Sequence, residues 1–157
     1  MLKFRNPVRV EIVDGDNVEV LDFFNGMTDE GRQYALGVAL NQETPEANWY
    51  VGLISDTNFV DISDSDTMLS KSWQEESSYS EAERQAWLPV ASTNSLENTV
   101  AVSYNFVGDA TAKGLFICSD STKGGTLGKL WATALFPKSR DFTANTAINV
   151  FYKVEAV

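Results

Sequence analysis

The sequence predicts a mainly β protein: an antiparallel β-sandwich of jelly-roll type, with one α-helix in its N-terminal third, in a single domain spanning 1–157. Three observations carry that expectation. Short apolar runs alternate with polar residues and are separated by Gly, Asp and Pro, which is the spacing of strands in a sandwich or jelly roll. Only one long stretch has helical periodicity, so an alternating α/β order with a parallel sheet is disfavoured. The 157 residues are 43% hydrophobic and 11% aromatic, enough to fill one core.

Val8-Arg9-Val10-Glu11-Ile12 alternates with period two, and Val18 to Phe24 follows a turn at Asp14-Gly15-Asp16-Asn17. Two short strands around such a turn form a hairpin. Thr28 can cap a helix running to about Asn41, with Asp29 and Glu30 placed favourably in its first turn. Tyr34/Val38 and Leu36/Leu40 form i,i+4 pairs on it, and Pro45 ends any continuation. The hairpin and helix, residues 1–45, are expected to pack on the sandwich. Trp49 to Ile54 is apolar on both faces, as in a doubly covered central strand.

Ser55 to Ser80 is polar, rich in Asp and Ser, and reads as a long ordered loop. Trp73, Tyr79 and Trp87 are spaced to pin it to the body. Ser80 and Glu83 have capping-box spacing, so a short helical turn is expected over Glu81 to Ala86. Thereafter strands are expected from Val100 to Phe106, from Leu115 to Cys118, and from Leu130 to Phe136, the last stopped by Pro137. A final strand covers Ile148 to Val154, and Gly108-Asp109 and Lys123-Gly124-Gly125 are the turns.

Charge and composition narrow the function. Of the formal charge of −10, all the excess lies in residues 1–78, which hold 15 acidic and 5 basic side chains; residues 79–157 hold 7 of each. Such a surface repels a phosphate backbone, so no nucleic-acid partner is expected. There is no His, which removes Ser-His-Asp catalysis, His-ligated zinc and histidine switching. The one Cys, Cys118, lies in an apolar run and reads as an inert buried thiol. No stretch approaches the length needed to cross a bilayer, Met1 to Val13 does not resemble a signal peptide, and no Asn-x-Ser/Thr sequon occurs. Neither a membrane nor a secretory route is expected.

No catalytic constellation emerges from the motifs. Asp56, Asp61, Asp64 and Asp66 lack the spacing and the Gly of a calcium loop. Glu75-Glu76, adjacent in a strand, point to opposite faces and cannot form a glycosidase pair. Gly124-Gly125-Thr126-Leu127-Gly128-Lys129 has one residue too few between its outer glycines for a phosphate loop and precedes a strand. No catalytic, cofactor-binding or metal-binding residue is assigned. Core packing is the first expectation for Trp49, Trp73, Trp87, Trp131 and several Tyr, with a protein interface or a sugar-stacking face as alternatives.

In order, several segments resemble a group of small structural proteins encoded by tailed bacteriophages. They are Thr28 to Arg32, Trp49-Tyr50-Val51-Gly52-Leu53-Ile54, Trp73-Gln74-Glu75, Tyr79 through Arg84 to Trp87, Gly114 to Ile117, Ser119 to Gly125, and Leu130 to Phe136. The similarity covers nearly the whole chain. It implies a non-enzymatic capsid decoration, or cement, protein of the virion, with a β-sandwich fold and a tendency to act as a trimer. Its partner would be the major capsid protein, contacted on the outer shell after assembly in the host cytoplasm. The Ser55 to Ser80 loop or the N-terminal strands would make the contact. The alternative is a tail-associated module that binds a receptor or carbohydrate.

Overall fold

A computed structural model describes residues 3–157, and the expectation of a mainly β, antiparallel protein with one helix holds. Strands β1 (Phe4–Asp14) and β2 (Asn17–Met27) form the expected hairpin, longer than the alternation alone suggested. Gly15, at φ +58, takes the first central position of its two-residue turn, the place where a type II′ turn needs a positive φ. Helix α1 (Asp29–Ala39) begins as expected: the Thr28 side chain accepts a hydrogen bond from the Gly31 N–H. Its buried face is Gly31 and Tyr34, however, while Leu36 and Leu40 are exposed.

The remaining strands are β3 (Trp49–Ser55), β4 (Glu75–Glu76), β5 (Gln85–Trp87), β6 (Pro89–Ala91), β7 (Ser95–Asn98), β8 (Val102–Asn105), β9 (Ala110–Cys118), β10 (Leu130–Phe142) and β11 (Ala147–Ala156). They hydrogen-bond into one sheet of 11 strands, in the order β4-β3-β9-β10-β2-β1-β11-β7-β6, with β5 also on β3 and β8 also on β11. The sheet curls into a half-barrel. Val8 and Val10 of β1, Val51 and Leu53 of β3, Leu115 and Ile117 of β9, and Ile148, Val150 and Tyr152 of β11 all bury into one core. Strands near opposite ends of the order can share a core only if the sheet folds toward itself. The Tyr104 hydroxyl on β8 spans the two limbs: it accepts from the Gln85 N–H at 2.7 Å and donates to the Val51 carbonyl.

A second core lies on the outer face of the sheet. Ile54, Phe116, Cys118 and Leu130 are covered there by Met68 and Trp73 from the 56–74 segment. This accounts for the absence of a polar face on β3, where five consecutive residues from Val51 are buried.

Three local expectations are corrected. Glu81 to Ala86 forms no helical turn; two bends lead into β5, because the Trp49↔Trp87 and Val51↔Gln85 pairings capture this segment for the sheet. Pro137 does not end its strand. β10 continues to Phe142, and the proline falls within the register shift between Leu135 and Arg140, where its missing N–H costs no ladder bond. The strand expected from Val100 begins at Val102, and Val100 is exposed.

Candidate functional site

The most concentrated feature of the surface is an apolar groove of about 550 Å³ between α1 and the β6–β7 hairpin. Trp49, Trp87 and Trp131 form its floor, with Ile117 and Val154. One wall is the Ala35, Val38 and Ala39 side of α1; the other is Leu88, Pro89 and Leu96, with Phe4 at one end. Among the described residues, no charged side chain lines it.

Local contacts hold this geometry. The Thr28 hydroxyl donates to the Leu130 carbonyl, and Glu30 accepts from the Leu130 N–H at 2.7 Å, so the first turn of α1 is clamped to the start of β10. Gly31 permits the approach: a Cβ there would stand 2.2 Å from the Trp131 carbonyl oxygen. The ring of Tyr34 then meets Trp49 edge-on at 5.2 Å, and Trp49 meets Trp131 at 5.5 Å. Gly31→Val is therefore expected to lift α1 from β10 and to destabilise by about 1–3 kcal/mol, the usual range for overpacking. Urea unfolding followed by tryptophan emission checks both: the midpoint should fall, and the folded-state emission should shift to the red as Trp49 and Trp131 meet water.

Few polar groups remain free in the groove. The Trp87 indole N–H is shared between Asn98 Oδ1 at 3.1 Å and the Tyr152 carbonyl at 3.0 Å. The Tyr34 hydroxyl accepts from the Glu46 N–H. The Trp131 N–H is buried beside the Tyr152 hydroxyl without the geometry of a hydrogen bond, and that hydroxyl already accepts from Asn25 at 3.0 Å. Among the described residues, Asn48 is the one further polar side chain on the lining.

Trp73, weighed together with the other tryptophans from sequence, lies elsewhere. It is buried under the 56–74 segment, where its N–H donates to Asp66 at 3.0 Å and its ring packs on Phe116 at 5.1 Å. Asp66 is thus an anchor for Trp73, while Asp64 pairs at the surface with Arg32. Glu76 is buried, the Glu75 side chain is 4% exposed, and the two lie on opposite faces, as adjacent strand residues must. Glu76 accepts from the Ser78 N–H at 2.9 Å, and Glu75 binds Arg84 through both carboxylate oxygens, at 3.0 and 2.7 Å. This pair is the structural element that sequence reasoning missed, because eight residues of loop separate β4 from β5 and only the fold brings their ends together.

The Arg84 guanidinium also donates to the Asp120 and Gly125 carbonyls, at 3.0 and 2.8 Å. Burial alone would lower its pKa; the Glu75 hydrogen bonds and negative charge outweigh this and hold it firmly protonated. Burial raises the Cys118 thiol and the Tyr79, Tyr104 and Tyr152 phenols above their ordinary values. The Gly124 to Lys129 segment is a connecting loop whose Gly124 N–H donates to Glu75 at 2.8 Å. Among the described residues, no three His, Cys, Asp or Glu side chains gather as metal ligands, and no helix is long and apolar enough to cross a membrane.

A second groove, of about 510 Å³, runs along the outer face of β2-β1-β11. It has mixed character, with the Arg9–Asp22 ion pair beside Phe24, Glu97 and Lys153. The aromatic groove is the better candidate for recognition because burying it desolvates no charge.

No family model, curated protein or solved structure matches this chain.

Proposed function

We propose that this protein is a non-enzymatic structural component of a tailed-bacteriophage virion, a decoration protein that binds the outer surface of the major capsid shell and stabilises it. The supporting observation is the aromatic groove: partly exposed Trp49 and Trp131 beside buried Trp87 on an uncharged lining, in a chain whose buried charged groups already have partners. Trp and Tyr in a dry pocket are the residues that most often dominate protein–protein affinity. The two limbs of the curled sheet enclose one core, so the body is read as a rigid sandwich-like block. Self-association, with a trimer favoured, would multiply a modest contact into stable attachment at many equivalent sites.

The contact surface assigned here is the groove and not the Ser55–Ser80 loop, because the loop's own aromatics turn inward, Trp73 and Tyr79 buried and Phe59 packed against the second core. The carbohydrate-binding tail module is the second reading, favoured by the indole faces on the groove floor. A pyranose presents many hydroxyls, however, and most of the groove's polar atoms are already engaged.

Mixing the purified protein with undecorated capsids tests the proposal. Co-sedimentation at a fixed ratio to the major capsid protein is the expected result, with added resistance of the shells to heat. Protein left wholly in the supernatant would overturn it, and retention on host polysaccharide alone would transfer the assignment to the tail module.

A further inference from the structure

Resting on the binding role proposed for the groove, we infer that its occupant is an extended apolar segment of another protein, flanked by Lys or Arg, which adds as a strand to the open edge of β6. Among the described residues the sheet order ends at β6, whose one strand partner is β7. All three β6 residues are exposed. The Ser92 N–H donates to the Ser95 carbonyl at 2.8 Å across the hairpin turn, which sets the phase of the pairing. Val90 and Glu97 then exchange bonds within the hairpin, while the backbone groups of Pro89 and Ala91 face outward. Pro89 sits at an outward position, where its missing N–H breaks no existing bond. The free edge therefore offers two carbonyls and the Ala91 N–H, directly beside the groove wall that Leu88, Pro89 and Leu96 form. An incoming strand would satisfy those groups and lay alternate side chains on the indole floor, the usual division between backbone affinity and pocket specificity in strand addition.

Charge selects among occupants. The helix wall and its continuation, residues 28–48, carry Asp29, Glu30, Glu43 and Glu46 against Arg32, with Lys129 paired to Glu43 at 3.2 Å, so four acids face two bases on this rim. Arg32 is engaged by Asp29 and Asp64. A second copy docking by the same face would bring two acidic rims together, and a hydroxyl-rich sugar would find few free polar partners. An apolar strand with basic flanks meets both the floor and the rim.

The experiment uses the full chain and a synthetic probe, Lys-Lys-Val-Thr-Val-Leu-Val-Lys-Lys, titrated while tryptophan emission and the Ala91 amide resonance are followed. Saturable binding is expected, at least 10-fold weaker when the flanking residues are Glu. Ala91→Pro, which removes the one outward N–H, and Val38→Asp, on the helix wall, should each weaken binding at least 10-fold. Leu88→Glu, at a position 68% exposed, is a further wall variant should either of these disturb the fold. No binding, a preference for the Glu-flanked probe, or equal affinity of the folded variants would overturn the inference. Shells that bind the wild type while the probe does not would overturn this inference and leave the decoration reading standing. Probe binding without shell binding would do the reverse.

Discussion

Arg84→Met is expected to lower folding stability by about 3–5 kcal/mol, the cost of stripping one partner from a buried ion pair. The Arg84 side chain is 0% exposed and that of Glu75 is 4% exposed, so the carboxylate left behind could not recover its hydration. Four contacts go at once: two to Glu75, one to the Asp120 carbonyl and one to the Gly125 carbonyl. Those contacts tie β4 and the approach to β5 to the loop between β9 and β10, so the loss would be local before it is global. Urea unfolding supplies the number. Cys118 supplies the location, because Arg84 Nη1 lies 3.4 Å from its sulfur. A thiol-specific disulfide reagent should leave the wild-type Cys118 untouched and should label it in the variant well below the unfolding midpoint. The double variant Glu75→Gln with Arg84→Met should recover part of the loss, since no unpaired charge then remains. A single variant within 1 kcal/mol of wild type would mean that the pair contributes nothing net.

Trp73→Ala is expected to cost about 3–5 kcal/mol, the usual range for removing a buried large aromatic. Trp73 is 2% exposed and links three things: its ring to Phe116 on β9, its N–H to Asp66, and its backbone carbonyl to the Lys71 ammonium at 3.1 Å. Lys71 also stacks over the ring at 4.5 Å. Without the indole, Met68 and Phe116 face a cavity, and the 56–72 segment loses its main attachment to the sheet. Limited proteolysis should then cut within 56–72 while the barrel core stays protected. The same change at Trp49 should be milder for stability and more damaging for ligand binding, because Trp49 is only partly buried and faces the groove. If the two variants behave alike, the division between a structural and a recognition tryptophan fails.

Much of the fold was legible from local pattern. Period-two alternation marked β1, β8 and β11, because a strand with one buried face must alternate, and β2 was marked by the apolar run that follows the turn. The continuous apolar run from Trp49 marked β3, because both its faces are covered. Thr28 marked the helix start through a hydrogen bond within one turn. Segments whose structure depends on distant partners were not legible. β5, β6 and β7 are three, three and four residues long, too short for periodicity to declare itself, and β5 exists because Trp49 to Val51 stands ready to pair with it. Pro137 misled for the same reason: whether a proline stops a strand depends on whether its N–H would have been bonded.

For the site, the aromatic residues were visible as a list and the groove was not. Trp49 and Trp131 sit 82 positions apart in the chain and 5.5 Å apart in space, a proximity set by the curl of the sheet and by the helix resting on Gly31. Side-chain chemistry and its spacing along the chain decide which elements form, since those forces act over a few residues. Which tryptophan becomes core and which becomes surface, and whether a glutamate meets water or an arginine, is decided by contacts between residues far apart in the chain, and no local pattern encodes them.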